Sequence, residues 1–275
     1  MILSCNGKQL DLSTPKVMGV LNLTPDSFFD GGRFSSIDTQ LARVEQMLEE
    51  GASIVDLGAV STRPGAWEIG ESGELDRLLP SLKAIRNHFP QAFLSVDTYH
   101  PSVAEEAAGM GTDMINDIYG GRFAGGMPET IARLNIPYIL MHMKRTPDTM
   151  QVNPEYQDVV AEISYFFQQQ TVKLRELGFG KVLIDPGFGF GKTVDHNYEI
   201  LRRLEEFQTL GYPVVVGLSR KSMIQKVLDV SAQEALNGST VLHTIALLKG
   251  ASILRVHDVK EAIQAITLVS ALEHW

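Results

Sequence analysis

Short apolar runs alternate with longer amphipathic segments along the whole chain. The apolar runs are rich in β-branched residues, as is typical of buried parallel strands. The segments between them repeat apolar residues at helical spacing, most clearly at Leu75, Leu78 and Leu82. The predicted strands are 17–21, 54–57, 93–96, 114–115, 138–141, 182–184, 213–217 and 252–256. The pattern therefore predicts eight strand–helix pairs.

Residues that start and stop helices bracket the first amphipathic segment. Asp38 precedes an apolar stripe of Leu41, Val44 and Leu48, and Gly51 follows it. Aspartate is a preferred N-cap residue, and glycine is preferred just beyond the last helical turn. We therefore predict a helix that is capped by Asp38 and ends before Gly51.

The spacing of these units favours a particular fold class. Eight units in 275 residues give about 34 residues per unit, close to the roughly 250 residues of a typical (β/α)8 barrel. We predict an α/β fold in which residues 1–275 form a single TIM barrel domain. A doubly wound open sheet has the same alternation and remains the alternative. The Gly- and Pro-rich segments 24–35 and 61–73 predict long active-site loops after strands 1 and 2.

Composition and charge exclude several classes of protein. Lys and Arg number 24 against 33 Asp and Glu, and the net charge of −9 argues against a protein that coats duplex DNA. A single cysteine, Cys5, excludes an intrachain disulfide and a multi-thiolate zinc site. No apolar run approaches the ~18 residues that span a bilayer, and the N-terminus lacks a signal-peptide pattern. We expect a cytoplasmic protein that binds neither nucleic acid nor membranes.

Cationic residues follow the last two predicted strands. The carboxyl ends of barrel strands form the active-site face, and phosphate often binds in the loops after strands seven and eight. Lys221 follows the seventh strand. Arg255 and His257 are two residues apart at the eighth, so their side chains project to the same side. These three residues predict a site for a phosphorylated substrate, with structural pairing of Arg255 to a buried carboxylate as the alternative.

A second set of strand-end residues is acidic and amide-bearing, and comprises Asp97, Asn116 and Asp185. A carboxylate accepts two parallel N–H bonds, and asparagine offers a donor and an acceptor. The set suits a flat heterocycle with a guanidine-like edge, or alternatively a divalent metal ion. The glycine-rich segment 185–193 has neither P-loop nor dinucleotide-binding spacing. It predicts a tight turn whose glycines allow the backbone to approach a ligand.

Eight ordered motifs, at almost every predicted strand end, carry a family resemblance. They are MGVLNLTPDSFFDGG from Met18, STRPGA from Ser61, SVDT from Ser95, IND from Ile115, LMHMKRTPDTMQ from Leu140, DPGFGFGK from Asp185, GLSRKSMI from Gly217 and RVHDV from Arg255. With these motifs the chain resembles the dihydropteroate synthases, a family of pterin-binding barrels, over essentially its whole length. The resemblance implies condensation of 6-hydroxymethyl-7,8-dihydropterin diphosphate with 4-aminobenzoate in folate biosynthesis. It also implies a homodimer and a target of sulfonamides.

The resemblance further implies roles for individual residues. The implied pterin-binding residues are Asp97, Asn116, Ile118, Met141, Asp185, Lys221 and Arg255. The implied diphosphate-binding residues are Asn22, Arg255 and His257, with Mg²⁺ held by the diphosphate and Asn22. The implied aminobenzoate-binding residues are Phe28, Thr62, Pro64, Phe190, Lys221 and Ser222. The implied catalytic residues are Asp30 and Arg63, near the transferred methylene, with Asp97, Asp185 and Lys221.

The chain departs from the family pattern at a few loop positions. Ala59 and Val60 follow Gly58 where a second glycine and then Glu or Gln are usual. Tyr119 stands where serine is commoner, and Arg145 where glycine is commoner. These departures bear on loop geometry. The alternative functions are a methyltetrahydrofolate-dependent methyltransferase and a non-catalytic pterin-binding barrel.

Overall fold

Eight parallel strands form a ring in the computed structural model, which describes residues 1–24, 36–60, 69–123, 125–146 and 149–272. After an N-terminal hairpin of β1 (Ile2–Cys5) and β2 (Lys8–Asp11), the strands of the ring are β3 (Lys16–Asn22), β4 (Ile54–Gly58), β5 (Leu94–Asp97), β6 (Met114–Asp117), β7 (Tyr138–Met141), β8 (Val182–Asp185), β9 (Val215–Val216) and β10 (Ile253–Val256). Strands β3 to β8 pair in sequence order, and β10 lies between β3 and β9. A parallel bridge between Ile184 and Val214 joins β8 to the residues before β9. The predicted barrel is therefore confirmed over the open-sheet alternative.

Helices surround the ring and bury their apolar faces against it. In the described ranges they are α1 (Ile37–Glu49), α2 (Gly70–His88), α3 (Pro101–Gly109), α4 (Met127–Leu134), α5 (Val159–Glu176), α6 (Val194–Arg202), α7 (Ser222–Leu228), α8 (Leu236–Leu248) and α9 (Val259–Leu272). A 3-10 helix, Leu204–Leu210, precedes β9. The extra helix α7, between β9 and α8, breaks the simple pairing of one helix with each strand. None of these helices combines the length and apolarity that a membrane span requires.

Two predicted helix boundaries are wrong. Ser36, rather than Asp38, caps α1, because its side chain accepts a hydrogen bond from the Thr39 N–H at 3.3 Å. Asp38 lies in the first turn instead, where its charge favours the positive end of the helix dipole. The predicted loop 61–73 is also too long, since residues 70–73 already belong to α2. Residues 25–35 and 61–68 lie outside the described part of the chain.

An N-terminal hairpin, which the hydrophobic pattern did not predict, packs against the amino ends of the strands. Strands β1 (Ile2–Cys5) and β2 (Lys8–Asp11) pair antiparallel around Asn6 and Gly7, whose φ angles are +50° and +75°. Lys8 Nζ binds both oxygens of the buried Asp113 at 2.7 and 2.6 Å. Cys5 is buried in the core beneath the barrel. The hairpin therefore covers the end of the barrel away from the polar strand ends.

Candidate functional site

The carboxyl ends of neighbouring strands bring three of the predicted site residues side by side. Asn22 pairs in register with Gly58, Gly58 with Asp97, and Asp97 with Asn116. A Cβ atom at Gly58 would lie 3.8 Å from the Asp97 Cβ and 3.9 Å from the Asn22 Oδ1. Gly58 therefore leaves room for a side chain no larger than a methyl group between Asn22, which is predicted to bind the diphosphate, and Asp97, which is predicted to bind the pterin. The barrel register gathers these residues at one edge of the site.

Arg255 connects β10 to two carboxylates of other strands. Its Nε donates to Asp56 Oδ2 at 2.7 Å, and its Nη2 donates to Asp97 Oδ2 at 2.7 Å. The pairing with a buried carboxylate, which was the alternative to anion binding, is therefore present. About a quarter of the Arg255 side chain, 24%, remains exposed, so the described residues do not enclose it completely.

Burial shifts the protonation of Asp97 strongly. It raises the pKa of Asp97 to about 7, although the Arg255 cation opposes the rise; the nearby charge of Asp56 adds to it. A carboxyl group with such a pKa changes charge near neutral pH, which is common for groups in functional sites. The capacity of Asp97 to accept hydrogen bonds therefore depends on pH near neutrality.

Asp185 and Lys221 form the second charged part of the site. Asp185 Oδ1 accepts the Gly187 N–H at 2.7 Å, and burial raises the pKa of this carboxyl group. Burial lowers the pKa of Lys221 to about 8, against the opposing effect of Asp185. The Lys221 ammonium donates to the Phe188 carbonyl and lies 4.7 Å from the centre of the Phe190 ring. Lys221 thus interacts electrostatically with Asp185 of the predicted pterin set and lies over Phe190 of the predicted aminobenzoate set.

His257 lies just beyond β10 and is held through its backbone. Its N–H donates to Ser219 Oγ at 3.3 Å, and its carbonyl accepts from Arg43 at 2.7 Å. Burial lowers the pKa of His257 to about 4, and the Arg255 charge lowers it further. The imidazole is therefore neutral at pH 7. This corrects the expected charge of His257, because among the three predicted phosphate-binding residues Lys221 and Arg255 carry the positive charge.

Arg220 links the two loops that carry Lys221 and His257. Its Nε and Nη2 donate to the Asp258 carboxylate at 2.8 and 2.9 Å. Arg220 has a φ of +52°, in the left-handed region that non-glycine residues seldom occupy. The bidentate ion pair holds this conformation and fixes the loop after β9 against the loop after β10.

An apolar cluster forms the wall beside the polar residues. Its buried members are Tyr99, Ile118, Met141, Met143 and Met150, and Val60, Tyr119, Phe123 and Phe190 pack against it. The cluster contains both predicted apolar pterin contacts, Ile118 and Met141. The departures Val60 and Tyr119 also belong to it. Val60 therefore makes an apolar contact just before the second long loop, at a position where Glu or Gln is usual in the family.

The glycine-rich segment after β8 packs closely against a neighbouring loop. A Cβ atom at Gly187 would lie 2.0 Å from the His142 carbonyl, and one at Gly191 would lie 2.6 Å from the Lys144 carbonyl. Lys192 fixes this segment, because its buried ammonium donates to the carbonyls of Gly187 and Phe190, both at 2.9 Å. These glycines thus allow backbone to approach backbone, whereas the sequence pattern predicted approach to a ligand.

The predicted aminobenzoate residues are only partly described. Phe190 is half-buried beside Lys221, and Ser222 is the exposed first residue of α7. Ser222 lines a cavity of about 250 Å³, together with residues that include Lys192 and Lys226. The other predicted aminobenzoate residues, Phe28, Thr62 and Pro64, lie outside the described residues. The predicted catalytic residues Asp30 and Arg63 lie outside them as well.

The donor groups of the site are consistent with Mg²⁺ that is shared with a substrate. The described ranges contain no group of three or more His, Cys, Asp or Glu side chains arranged to hold a metal ion. Mg²⁺ commonly uses one or two protein oxygens and completes its shell with substrate phosphates and water. The amide oxygen of Asn22, at the end of β3, is a hard ligand of the required kind.

Two buried polar residues of this region had no predicted role. Asp56 lies wholly buried inside β4, and Lys192 ends the glycine-rich motif. A charged residue within an otherwise apolar strand is costly to bury without a partner, so the sequence carried a signal for Asp56. The signal for Lys192 was weaker, because its four hydrogen-bond partners are three backbone carbonyls and a histidine nitrogen from two loops.

The chain is similar in sequence to a known protein family and to characterised relatives. Residues 18–257 match the family described as pterin binding enzyme. A dihydropteroate synthase of Haemophilus influenzae is 49% identical over 261 residues, which cover 94% of each chain. The dihydropteroate synthase of Escherichia coli is 45% identical over 273 residues, covering 98% of this chain and 96% of the relative.

Solved structures have the same fold over the full chain. A Yersinia pestis dihydropteroate synthase in complex with a sulfonamide drug has a TM-score of 0.96 and 43% identity, and the match covers all of both chains. A Xanthomonas albilineans dihydropteroate synthase with 4-aminobenzoic acid has a TM-score of 0.91 and 38% identity, covering 100% of this chain and 98% of the other. The similarity therefore extends from the motifs to the whole barrel.

Proposed function

The chain belongs to the pterin binding enzymes, among the dihydropteroate synthases, and we propose that its active site is the polar carboxyl end of the barrel. The enzyme is a transferase of folate biosynthesis that condenses 6-hydroxymethyl-7,8-dihydropterin diphosphate with 4-aminobenzoate. The observation that carries the location is the convergence of Asp97, Asn116 and Arg255: Arg255 donates to Asp97, and both Arg255 and Asn116 donate to Asp56. In this proposal residues 1–275 work as one domain, in the cytoplasm.

The pterin binds through its polar edge and its faces. Asp97 and Asp185 accept N–H groups of the ring edge, and Asn116 adds an amide beside them. Ile118 and Met141 supply the apolar wall, as their place in the buried cluster supports. Lys221 donates to the ring, and the Arg255 guanidinium lies against its face.

The aminobenzoate binds next to Lys221. The position of this ammonium above the Phe190 ring supports a site that combines a cation for the carboxylate with an aromatic surface for the ring. Ser222 begins the next helix beside it. Phe28, Thr62 and Pro64 complete this pocket in the proposal. A relative solved with a sulfonamide supports the same drug class as a ligand here.

The diphosphate binds at the carboxyl ends of β3 and β10, beside Asn22, Arg255 and His257. Asn22 would hold Mg²⁺ together with the diphosphate, and the metal ion would supply positive charge for the leaving group. Arg255 is already cationic, because the carboxylates beside it favour the charged guanidinium and hold its pKa above the usual range despite burial. His257 is neutral before the substrate binds and donates a ring N–H to the diphosphate. The negative charge of the diphosphate then favours protonation of the imidazole.

The reaction joins the aminobenzoate nitrogen to the methylene carbon of the pterin and breaks the bond between that carbon and the diphosphate oxygen. An arylamine is neutral at pH 7, so no strong base is required, and after the new bond forms the nitrogen loses its proton to water. The barrier lies mainly in expelling the diphosphate. Arg255 stabilises the departing charge, while Asp97 and Asp185 stabilise positive charge that develops on the pterin. Asp30 and Arg63 act near the methylene in this proposal.

The proposed assembly is a homodimer formed through α8 and α9. Four large apolar side chains on these adjacent helices are at least half exposed, and they are Val241, Leu248, Leu268 and Leu272. Val241 and Leu248 are seven residues apart and share one helix face, as do Leu268 and Leu272 at a spacing of four. An exposed apolar patch of this kind is typical of an interface between protein chains.

The reaction is tested by measuring diphosphate release from the pterin diphosphate and Mg²⁺, with and without 4-aminobenzoate, and by identifying the pterin product by mass. We expect release only with the arylamine. Arg255→Ala should lower turnover about a hundredfold or more, whereas Arg133→Ala, at an exposed arginine of α4, should leave it unchanged. Pterin binding without release would favour a non-catalytic barrel. Methyl transfer from methyltetrahydrofolate would favour the methyltransferase.

A further inference from the structure

Asp56 is a wholly buried carboxylate within the barrel, and no substrate contact is assigned to it. It lies in β4, with 0% of its surface exposed. Its Oδ2 accepts two hydrogen bonds, from Arg255 Nε at 2.7 Å and from Asn116 Nδ2 at 3.2 Å. Its Oδ1 is buried without a hydrogen-bond partner in the described ranges. One carboxylate therefore holds two of the residues that bind the pterin in the proposed function.

The bond to Asn116 fixes the orientation of that amide. An ionised carboxylate only accepts hydrogen bonds, so the amide must turn its nitrogen toward Asp56. The amide oxygen is then directed away from Asp56 and is free to accept an N–H of the pterin edge. If the amide were reversed, two oxygen atoms would face each other in a buried space. Asp56 therefore determines which group Asn116 offers to a ligand.

The bond to Arg255 fixes the plane of the guanidinium. The group is planar, with donors in fixed directions, so two partners on different atoms define its orientation. Asp56 binds Nε, and Asp97 binds Nη2. When the pterin engages Asp97, Asp56 remains as the partner that holds Arg255. The guanidinium can therefore keep its place against the ring while Asp97 changes partners.

We propose that Asp56 is a positioning residue that orients Asn116 and Arg255 for pterin binding. The inference rests on the proposed function, because it uses the pterin roles of these two residues. It predicts that a change at Asp56 acts selectively on the pterin substrate. Aminobenzoate binds beside Lys221 and Phe190, and neither of these residues is hydrogen-bonded to Asp56.

The first test is Asp56→Asn, which keeps the shape and removes the charge. We expect the KM for the pterin diphosphate, and the Kd for 6-hydroxymethyl-7,8-dihydropterin measured by calorimetry, to rise about tenfold or more, because hydrogen bonds to charged groups are weakened. The KM for 4-aminobenzoate should change less than twofold. The matched control is Asp113→Asn, a buried carboxylate at the opposite end of the barrel. It should lower the melting temperature without changing either KM.

The second test exchanges the two side chains, and it remains informative if Asp56→Asn folds poorly. Asn116→Asp alone places two carboxylates together and should weaken pterin binding. The double variant, Asp56→Asn with Asn116→Asp, restores an amide facing a carboxylate and again presents an oxygen to the pterin. We expect it to bind the pterin more tightly than Asn116→Asp alone. Independent effects at the two positions predict the opposite, because their losses would add.

The outcomes separate this inference from the proposed function. If the wild type binds the pterin without forming dihydropteroate, the proposed reaction is wrong. The calorimetric comparison of the wild type with Asp56→Asn then still tests the positioning role of Asp56. If the wild type turns over and Asp56→Asn binds the pterin within twofold of it, the positioning role is wrong. An equal rise in both KM values, or a double variant weaker than Asn116→Asp, would also overturn the role.

Discussion

At the scale of single residues, Asp97 and Lys221 bracket the pH range in which the pterin site has its full charge pattern. Burial disfavours the charged form of each group, so the pKa of Asp97 is raised to about 7 and the pKa of Lys221 is lowered to about 8. Below the first value Asp97 becomes protonated and loses an acceptor. Above the second value Lys221 becomes neutral and no longer balances Asp185.

We therefore predict that the free enzyme binds 6-hydroxymethyl-7,8-dihydropterin most tightly between about pH 7 and 8. Affinity should fall toward tenfold per pH unit on the acid side, because binding then requires loss of a proton from Asp97. Calorimetric titrations from pH 5.5 to 9.5 measure this profile. Because this ligand has no phosphate group, no change in phosphate charge contributes to the pH dependence.

Asp97→Asn is the control for the acid side of this profile. The amide does not titrate, so binding should be weaker throughout and should lose its dependence on pH below 7. A wild-type affinity that is constant from pH 5.5 to 9.5 would contradict the assigned protonation states. A fall that persists unchanged in Asp97→Asn would show that another group causes it.

The sequence predicted where the polar residues converge but not how they pair. Strand order and the ends of the apolar runs were enough to bring Asp97, Asn116 and Arg255 together, because parallel strands present their carboxyl ends at one face. The Asp56 contact and the neutral state of His257 depend on burial by residues distant in sequence. No local pattern contains that information.

At the scale of elements, the N-terminal hairpin shows a local signal that the hydrophobic pattern alone did not use. Asn6–Gly7 is a dipeptide that favours a tight hairpin turn with positive φ at both positions, and both angles are positive here. The strands on either side are only four residues each. Their role becomes evident only from the contact with Asp113, about a hundred residues away in sequence.

Asp113 gives the prediction at this scale, because it joins the hairpin to the barrel. It receives Lys8 and Arg86, each at 2.6 Å, and the Leu94 N–H at 2.9 Å. Asp113→Asn leaves two mostly buried cations without their carboxylate, which costs about 3–5 kcal/mol for a buried pair. We expect a clear fall in melting temperature, with both KM values unchanged.

The control for this prediction is Asp11→Asn, at the exposed end of the same hairpin. Asp11 bonds only to the neighbouring Ser13 among the contacts of its side chain with described residues. Its replacement should leave the melting temperature close to that of the wild type. Equal stability of Asp113→Asn and the wild type would mean that the hairpin is not held to the barrel through this carboxylate.

At the scale of the whole molecule, the sequence predicted eight strands and favoured a closed barrel, but the alternation of strands and helices alone could not exclude an open sheet. Closure depends on the contact between Ile184 and Val214, where β8 meets the short β9. The predicted strand 213–217 is reduced to Val215–Val216, and such a short run carries little pattern. The spacing of the units, and then the family that the ordered motifs identify, favoured the ring, and the bridge between Ile184 and Val214 excludes the open sheet.

The assembly is the last property of the whole molecule that the structure makes testable. Leu268 and Leu272 on α9 are 70% and 66% exposed, and Val241 and Leu248 are at least half exposed on the adjacent α8. If this surface forms the homodimer, charges introduced there must be buried without partners, which is unfavourable. We therefore expect Leu268→Glu with Leu272→Glu to sediment as a monomer of 30.3 kDa, while the wild type sediments at twice that mass.

Tyr165 supplies the control for the assembly, because it is 62% exposed on α5, a different helix. Tyr165→Glu should leave the dimer intact. Because the proposed active site lies within one barrel, the monomeric variant should retain its KM for the pterin diphosphate if it keeps its fold. A wild type that sediments as a monomer would contradict the dimer. A dimer that survives both leucine changes would place the interface on another face of the barrel.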